Sequence, residues 1–286
     1  MSILELNDRY GIDDALVFSE HPSGLVCAKI KTSDCTGEFF LQGAHVTQYQ
    51  NLLFMSRESL HLQGKPIRGG IPICFPWFSS HPLDANLPAH GWARTSPWQV
   101  LRTDRVDGAI LIELGLSKDN FELVYRIEMG SVLKVALRAT NASDAPCEYE
   151  VALHTYFHVG DIDAVRITGD LDHCDYYDQL TKTDHAKTQS SIGFNQETDR
   201  IYYGSAPRIT IQDRSLDRAT EIESLGSEAT VVWNPWIEKS KRMPDFGDSE
   251  YVHMCCVETA NVRRRSVRLD PHESHTTGVQ IWSRSL

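Results

Sequence analysis

The sequence predicts an all-β fold, because a two-residue hydrophobic periodicity recurs along the chain and convincing helical periodicity is nearly absent. The alternation is clearest over residues 121–129, where apolar side chains at odd positions are separated by Glu122, Arg126 and Glu128. It resumes over residues 133–139 after a Gly-Ser pair. These two runs therefore predict an antiparallel hairpin with a tight turn at Gly130-Ser131.

Other apolar runs extend this pattern from the N-terminal region to the end of the chain. They predict strands at Leu25–Ile30, Glu38–Leu41, Ala109–Leu114, Glu148–Phe157, Val165–Ile167, Arg208–Ile211, Ala229–Trp233, Tyr251–Val257 and Thr276–Trp282. The best helical segment is short, near Lys239–Met243, and Pro244 would end it. No linker or repeat is visible, so residues 1–286 are expected to form a single β domain with stacked sheets.

Composition and charge exclude several classes of protein. The chain has 286 residues, with 28 Lys and Arg against 39 Asp and Glu, which gives a net charge of −11 and makes nucleic acid an unlikely partner. No apolar run has the length of a membrane span, and the N-terminus lacks a secretory signal, so we expect a cytoplasmic protein. Seven cysteines without repeated Cys-x-x-Cys spacing indicate neither a disulfide framework nor a zinc site.

Two loop-like segments carry candidate binding residues. In Pro66–Pro72, glycines and prolines fix an unusual backbone from which Arg68 could bind an anion, or which could be a turn with a solvated arginine. The segment His90-Gly-Trp92-Ala-Arg94 combines an imidazole, a large aromatic face and a guanidinium. That combination suits a sugar or its phosphate, although a packed tryptophan with surface neighbours would look the same.

Two apolar strands contain ionisable residues. His154 and His158 share one strand face, but no third ligand accompanies them, so a metal site is not expected and proton transfer or a core histidine remain open. Glu258 stands at the end of the apolar run Met254–Val257. A carboxylate there is either exposed past the strand end or buried with a partner and a function.

Weaker signals lie elsewhere. Asp178, after Tyr176-Tyr177, could accept a bond from a hydroxyl or could end a strand in a turn. The basic run Arg263–Arg265 is expected to be a solvated loop, with a phosphate-attracting rim as the alternative. No phosphate-loop or dinucleotide motif occurs, so no nucleotide cofactor is expected.

Five segments in this order resemble the glucose-6-phosphate 1-epimerases, a group within the aldose 1-epimerase family. They are Arg68-Gly-Gly-Ile-Pro, His90-Gly-Trp-Ala-Arg94, Ala152-Leu-His154-Thr-Tyr-Phe, Trp233-Asn-Pro-Trp236 and Val257-Glu258-Thr-Ala-Asn261. The resemblance implies a large antiparallel β supersandwich of the galactose mutarotase-like type. It also implies a phosphosugar substrate and no metal or organic cofactor.

The resemblance assigns roles to individual residues. His154 matches the general acid, Glu258 the general base, and Arg68 and Arg94 the substrate-binding arginines, with Asp178 as a further substrate contact. His90, which begins the second motif, is a candidate substrate contact because an imidazole can bind hydroxyl or phosphate oxygens. Mutarotation needs one group to remove the anomeric hydroxyl proton and one to protonate the ring oxygen, which suits the first pair. Ala89 departs from the pattern, because related sequences often have a substrate-contacting Gln there.

Two other functions fit the same residues. A glycosidase would need two carboxylates, for which Glu258 and Asp178 could serve. A non-catalytic sugar-binding module could use Trp92, Trp233 and Trp236 as a stacking platform. A metal-dependent cupin-like enzyme is a more distant alternative.

Overall fold

In the computed structural model, which describes residues 1–187 and 191–286, two eight-stranded antiparallel sheets dominate the fold. The strands are β1 (Leu16–Glu20), β2 (Val26–Lys31), β3 (Thr36–Phe40), β4 (His45–Tyr49), β5 (Ile73–Cys74), β6 (Gln99–Val106), β7 (Ala109–Lys118), β8 (Phe121–Met129), β9 (Leu133–Asn141), β10 (Cys147–Tyr149), β11 (Val151–Leu153), β12 (Tyr156–His158), β13 (Val165–Gly169), β14 (Asp175–Asp178), β15 (Thr183–His185), β16 (Thr198–Tyr203), β17 (Arg208–Asp213), β18 (Arg218–Leu225), β19 (Ala229–Asn234), β20 (Met254–Asn261), β21 (Val267–Leu269) and β22 (Ser274–Ser285). The helices are α1 (Ile3–Tyr10) and α2 (Trp236–Arg242).

The first large sheet, here called the site sheet, has the order β15-β14-β16-β19-β20-β11-β5, with β12 also paired to β20. The second has the order β13-β17-β18-β22-β9-β8-β7-β6. Residues of both sheets, such as Val232 and Val257 of the first and Ile222 and Ile281 of the second, belong to one buried apolar cluster. The predicted all-β supersandwich is thereby confirmed, since the inner faces of the two sheets pack on each other.

The predicted hairpin is confirmed as β8 and β9, which pair from Phe121 with Asn141 to Met129 with Leu133. Its turn contains Val132 as well as Gly130 and Ser131. Odd-numbered positions of both strands are buried, because the alternation directs them into the core between the sheets.

The predicted single strand over Glu148–Phe157 is three short strands, β10, β11 and β12. The Glu150 carboxylate accepts bonds from the backbone N–H of Phe78 at 2.8 Å and of Arg263 at 2.6 Å, and thereby ties two loops to this segment. At the second break, the Thr155 N–H donates to the Leu153 carbonyl of its own segment at 2.8 Å. The backbone is therefore irregular next to His154.

Of the helices α1 and α2, the sequence predicted α2 and not α1. Helix α2 lies where a short helix was predicted, and it ends two residues before Pro244. Helix α1 was not predicted, although its capping box was readable: the Ser2 hydroxyl accepts from the Glu5 N–H, and the Glu5 carboxylate accepts from the Ser2 N–H. In the described residues, neither helix has the length and apolar character needed to span a membrane.

Gly91 fixes the loop that presents His90. Its φ is +74°, and a Cβ atom there would lie 1.9 Å from the Phe75 carbonyl oxygen. The neighbouring N–H of Trp92 donates to that same carbonyl at 3.0 Å. Only glycine allows the two segments to approach this closely, so the sequence pair His90-Gly91 is a structural requirement as much as a chemical one.

We expect Gly91→Ala to lower the free energy of unfolding by at least about 2 kcal/mol, because the new Cβ collides with a buried carbonyl in addition to the strain of a positive φ. Gly64→Ala is the matched control, since Gly64 has φ +72° and nothing within 4 Å of its Cβ position. It should cost about 1 kcal/mol, the strain alone. Equal losses in the two variants, measured by urea denaturation, would contradict the proposed collision.

Candidate functional site

A cavity of about 260 Å³ opens on the face of the site sheet that is turned away from the second large sheet. Strands β16, β19 and β20, helix α2, the break between β11 and β12 and the surrounding loops supply its walls. The lining residues are Arg68, Phe78, Ser79, His90, His154, Gln179, Asp199, Trp233, Lys239, Met243 and Glu258. Four of the six predicted site residues, Arg68, His90, His154 and Glu258, therefore line it.

His154 and Glu258 face each other across neighbouring strands. Leu153 is opposite Thr259 in the sheet and Tyr156 is opposite Cys256, so the same register places His154 opposite Glu258. Directly opposed residues of an antiparallel pair project to one face, and here the Nε2 of His154 lies 3.3 Å from Oε1 of Glu258. Glu258 lies inside β20 and not at its end as predicted, because the strand continues to Asn261.

Burial sets the proton affinity of this pair. Burial raises the pKa of Glu258, and the nearby Asp199 carboxylate adds to that shift while Arg94 opposes it. Burial lowers the pKa of His154, with Arg68 and Arg94 acting in the same direction. Both shifts oppose a net charge on the pair, so the state with one proton shared between imidazole and carboxylate is the favoured one.

Trp233 closes one side of the pair. Its ring meets the His154 ring and the Tyr156 ring edge to face, each at a centroid distance of 5.8 Å, and the Tyr156 ring stacks on the imidazole at 4.7 Å. Trp92 packs on Phe75 in the core, and Trp236 packs on Tyr251. The three tryptophans thus do not form the stacking platform considered from the sequence, since Trp233 alone of them lines the cavity.

Arg68 reaches the cavity as a held guanidinium. Its Nε and Nη2 donate to the Asp245 carboxylate at 3.1 to 3.2 Å, and Nη1 donates to the Tyr156 hydroxyl at 2.9 Å. Gly69 and Gly70 follow with φ of +116° and +62°. The sequence alternative of a freely solvated arginine is therefore wrong, because partners on two other segments hold its side chain.

His90 lines the cavity, whereas Arg94 is buried behind it. The Nδ1 of His90 accepts from the Ser79 N–H at 3.2 Å, and burial lowers its pKa with Arg94 acting in the same direction. Arg94 is buried and does not line the cavity; its Nη2 donates to the Ala89 carbonyl at 2.8 Å. The backbone of Ala89 thus positions this arginine. Ala89 stands where related sequences often have a glutamine, and the glutamine that lines the cavity in this protein is Gln179.

Asp178 does not reach this cavity, contrary to the sequence prediction. Asp178 is opposite Arg200 in the sheet, Arg200 is opposite Val232, and Val232 is opposite Val257. Side chains in such a row project to one face, and because Val257 is next to Glu258 on β20, this is the face opposite to that of Glu258. Its carboxylate accepts from the N–H groups of Leu180 and Thr181 and stabilises the turn after β14. The tentative pairing of Asp178 with Glu258 as two carboxylates flanking one bond is overturned by this geometry.

The carboxylate that shares the cavity with Glu258 is Asp199, which the sequence analysis missed. Asp199 is paired with Trp233, which is in turn paired with Cys256, so its side chain projects to the cavity face. It accepts a bond from the Gln179 amide at 2.5 Å, and Lys239 lies 3.8 Å away. A readable signal existed, because Asp199 is in phase with Ile201 and Tyr203 on the same strand face.

A second, outer cavity of about 650 Å³ shares Ser79, Gln179, Asp199 and Lys239 with the first. Lys182, Arg263 and Arg264 also line it. Arg264 lies over the Tyr203 ring and pairs with Asp184 at 2.9 Å, whereas Arg265 pairs with Glu228. Two arginines of the basic run therefore form a cationic rim on the approach to the inner cavity, the alternative left open by the sequence.

One group of potential metal ligands occurs in the described residues. Donor atoms of His154, Cys256 and Glu258 all lie within 4.8 Å of one another, and all three residues are buried. His158, the second histidine of the predicted pair, does not belong to this group or line the cavity.

Comparison with known proteins agrees with this architecture. The model of the family described as aldose 1-epimerase matches residues 27–282. A protein of Cenchrus ciliaris provisionally named glucose-6-phosphate 1-epimerase is 36% identical over 277 residues, which cover 88% of this chain and 83% of that protein. A protein of Escherichia coli K12 with the same provisional name is 32% identical over 260 residues, covering 86% and 82% of the two chains.

A solved structure shows the same fold over nearly the whole chain. The crystal structure of a protein from Salmonella typhimurium, titled as a provisional mutarotase, superimposes with a TM-score of 0.89 at 25% identity. The match covers 97% of this chain and 96% of the other. The arrangement of sheets described above is therefore shared with that protein.

Proposed function

This chain belongs to the aldose 1-epimerase family, and we propose that it interconverts the α and β anomers of a hexose 6-phosphate, with glucose 6-phosphate as the expected substrate. The observation that carries the proposal is the buried pair of His154 Nε2 and Glu258 Oε1, 3.3 Å apart at the wall of a cavity. The relatives provisionally named glucose-6-phosphate 1-epimerase support the choice of a phosphorylated hexose.

The reaction requires one proton to leave the anomeric hydroxyl and one to reach the ring oxygen. Starting from protonated His154 and ionised Glu258, the carboxylate takes the proton of O1 while the imidazole donates to O5, and the C1–O5 bond breaks. The pair then consists of a neutral imidazole and a protonated carboxyl group, the state that burial favours. Rotation about C1–C2 and reversal of both transfers close the ring on the other face.

The neighbouring side chains would hold the sugar without taking part in proton transfer. Asp199, Gln179 and His90 present polar groups to the cavity, and Trp233 presents an apolar face beside them. A pyranose has hydroxyl groups on its rim and apolar C–H faces, so both kinds of contact are needed to orient it. No metal or organic cofactor enters these steps.

The phosphate requires positive charge in a protein whose net charge is −11. Arg68 lines the cavity and is held in place by Asp245 and Tyr156, so its guanidinium is preorganised for a phosphate oxygen. Arg94 would act from behind His90 as a fixed buried charge, since it does not line the cavity. The rim of Lys182, Arg263 and Arg264 would attract the anion as it approaches.

The alternatives make different demands on the site. A glycosidase that used Glu258 and Asp178 is not supported, because these residues project to opposite faces of the site sheet. A sugar-binding module would bind hexose phosphate without changing the rate of anomer exchange.

A cytoplasmic location is part of the proposal, since a charged sugar phosphate does not cross a membrane unaided.

Replacing Glu258 with Gln should lower kcat/KM for anomer exchange about 10²- to 10⁴-fold, because the amide keeps the shape of the carboxylate but cannot accept the O1 proton. Exchange NMR between the α and β signals of glucose 6-phosphate measures the rate directly above the spontaneous reaction. Glu128→Gln, on the other large sheet, is the matched control and should exchange the anomers at the wild-type rate. If Glu258→Gln retained full activity, proton transfer by this pair would be disproved.

Arg68→Ala should raise KM for glucose 6-phosphate roughly tenfold or more and leave kcat less affected, because charge-assisted bonds to the phosphate are lost. Free glucose measured in the same assay serves as the internal control, since it lacks the phosphate and should be much less sensitive. An equal rise in KM for both sugars would show that Arg68 stabilises the structure of the site and does not bind the phosphate.

The dependence of kcat/KM on pH should be a broad bell, because the reaction uses the pair with one shared proton. That state is neutral, whereas a second proton leaves a buried positive charge and loss of the shared proton leaves a buried negative charge. Burial lowers the pKa of His154, which therefore sets the acid limb, and raises the pKa of Glu258, which therefore sets the alkaline limb. An acid limb at the ordinary pKa of a glutamate together with an alkaline limb at that of a histidine, after subtraction of the spontaneous rate, would contradict this account.

A further inference from the structure

The thiol of Cys256 lies beside the reactive pair without any part in the reaction described above. Cys256 and Glu258 are two residues apart on β20 and project to the same face, and His154 is opposite Glu258 on the neighbouring strand segment. Donor atoms of the three lie within 4.8 Å of one another. We propose that His154, Cys256 and Glu258 form a binding site for a zinc-class divalent cation, which inhibits the enzyme by occupying the position of the shared proton.

The distances suit such an ion. Zinc binds thiolate, imidazole and carboxylate ligands at about 2.3, 2.0 and 2.1 Å in a tetrahedron, so adjacent ligand atoms lie roughly 3.3 to 3.6 Å apart. The contact of 3.3 Å between His154 Nε2 and Glu258 Oε1 already has that length. The sulfur atom needs to approach by at most about 1.3 Å, which a side-chain rotation supplies.

The charges are also complementary. The thiolate and the carboxylate together carry two negative charges, which match a divalent cation and avoid a net buried charge. The positive charges of Arg68 and Arg94 oppose the ion, while the carboxylates of Asp199 and Asp245 offset them. Among the described residues, Oε2 of Glu258 has no hydrogen-bond partner, so the carboxylate can rotate toward the ion without breaking a hydrogen bond of that oxygen.

Ligand chemistry defines the class of ion, and the cavity supplies its route. A donor set with sulfur and imidazole selects zinc or cobalt over magnesium and calcium, which prefer oxygen ligands. His154 and Glu258 line the open cavity, so the ion can enter from there and keep a water molecule as its fourth ligand.

Binding removes the protons that catalysis uses. The cation replaces the shared proton of the pair and the proton of the thiol, so two protons are released for each ion bound. The imidazole lone pair and the carboxylate are then both engaged, and neither can exchange a proton with the sugar. Inhibition rests on the proposed function, whereas metal binding can be measured without it.

The test is a titration of the intact chain with Co²⁺, which reports its ligands by absorption. One Co²⁺ per chain should give the near-ultraviolet band of a cobalt–thiolate bond and the visible bands of tetrahedral cobalt, and Zn²⁺ should remove both. Cys256→Ala should abolish the thiolate band. Cys255→Ala is the matched control, because this neighbour is equally buried but projects into the core between the sheets, and it should keep the band.

Anomer exchange provides the second readout. Zn²⁺ should inhibit the wild-type protein and Cys255→Ala alike, and Cys256→Ala should need at least about tenfold more Zn²⁺ for half inhibition while its metal-free rate is unchanged. Should Cys256→Ala fail to fold, Cys256→Ser keeps the side-chain volume with a much poorer ligand.

The outcomes separate the two proposals. A cobalt–thiolate band that is absent from the wild type, or that persists in Cys256→Ala, would overturn the metal site. A band that depends on Cys256 in a protein without anomer exchange would support the metal site and disprove the proposed function.

Discussion

The contact between the imidazole of His154 and the carboxylate of Glu258 is the interaction on which the site depends. The two residues are 104 positions apart in the sequence. They meet because β11 and β12 both pair with β20 in one register, which places each residue opposite a single residue of β20. A register shift of one residue would turn one of the two side chains to the other face of the sheet. The core that fixes this register, formed between the two large sheets, is therefore also what brings His154 and Glu258 together.

Burial gives that contact its chemistry. In water the two groups would titrate independently, but in a buried position a net charge of either sign is costly, so they hold one proton between them. A reaction that removes one proton and delivers another needs such a pair. The same property makes the pair, with the thiol of Cys256 beside it, attractive to a cation that replaces protons.

The arginines around the cavity differ in how their side chains are held: those near the inner cavity are fixed by hydrogen bonds, and those at the outer rim are exposed. Arg68 is fixed by Asp245 and Tyr156, and Arg94 is fixed by the carbonyl of Ala89. The arginines at the outer rim are exposed. In a chain of net charge −11, these local groups oppose the long-range repulsion of an anionic substrate over the last few ångströms, where their effect is strongest.

The sequence by itself determined the all-β class, the hairpin of β8 and β9 and the candidate pair of His154 and Glu258, because strand periodicity is local and each of the five motifs is a short continuous segment. Only the tertiary structure decided that Asp199 and not Asp178 joins Glu258, that Arg94 stays behind the wall, and that the first two arginines of the run at 263–265 line the approach. Whether side chains on β14 and β20 project to the same face of the sheet depends on the register of the four strands β14, β16, β19 and β20. Register is fixed by the packing of the whole core, and no local segment of sequence contains it.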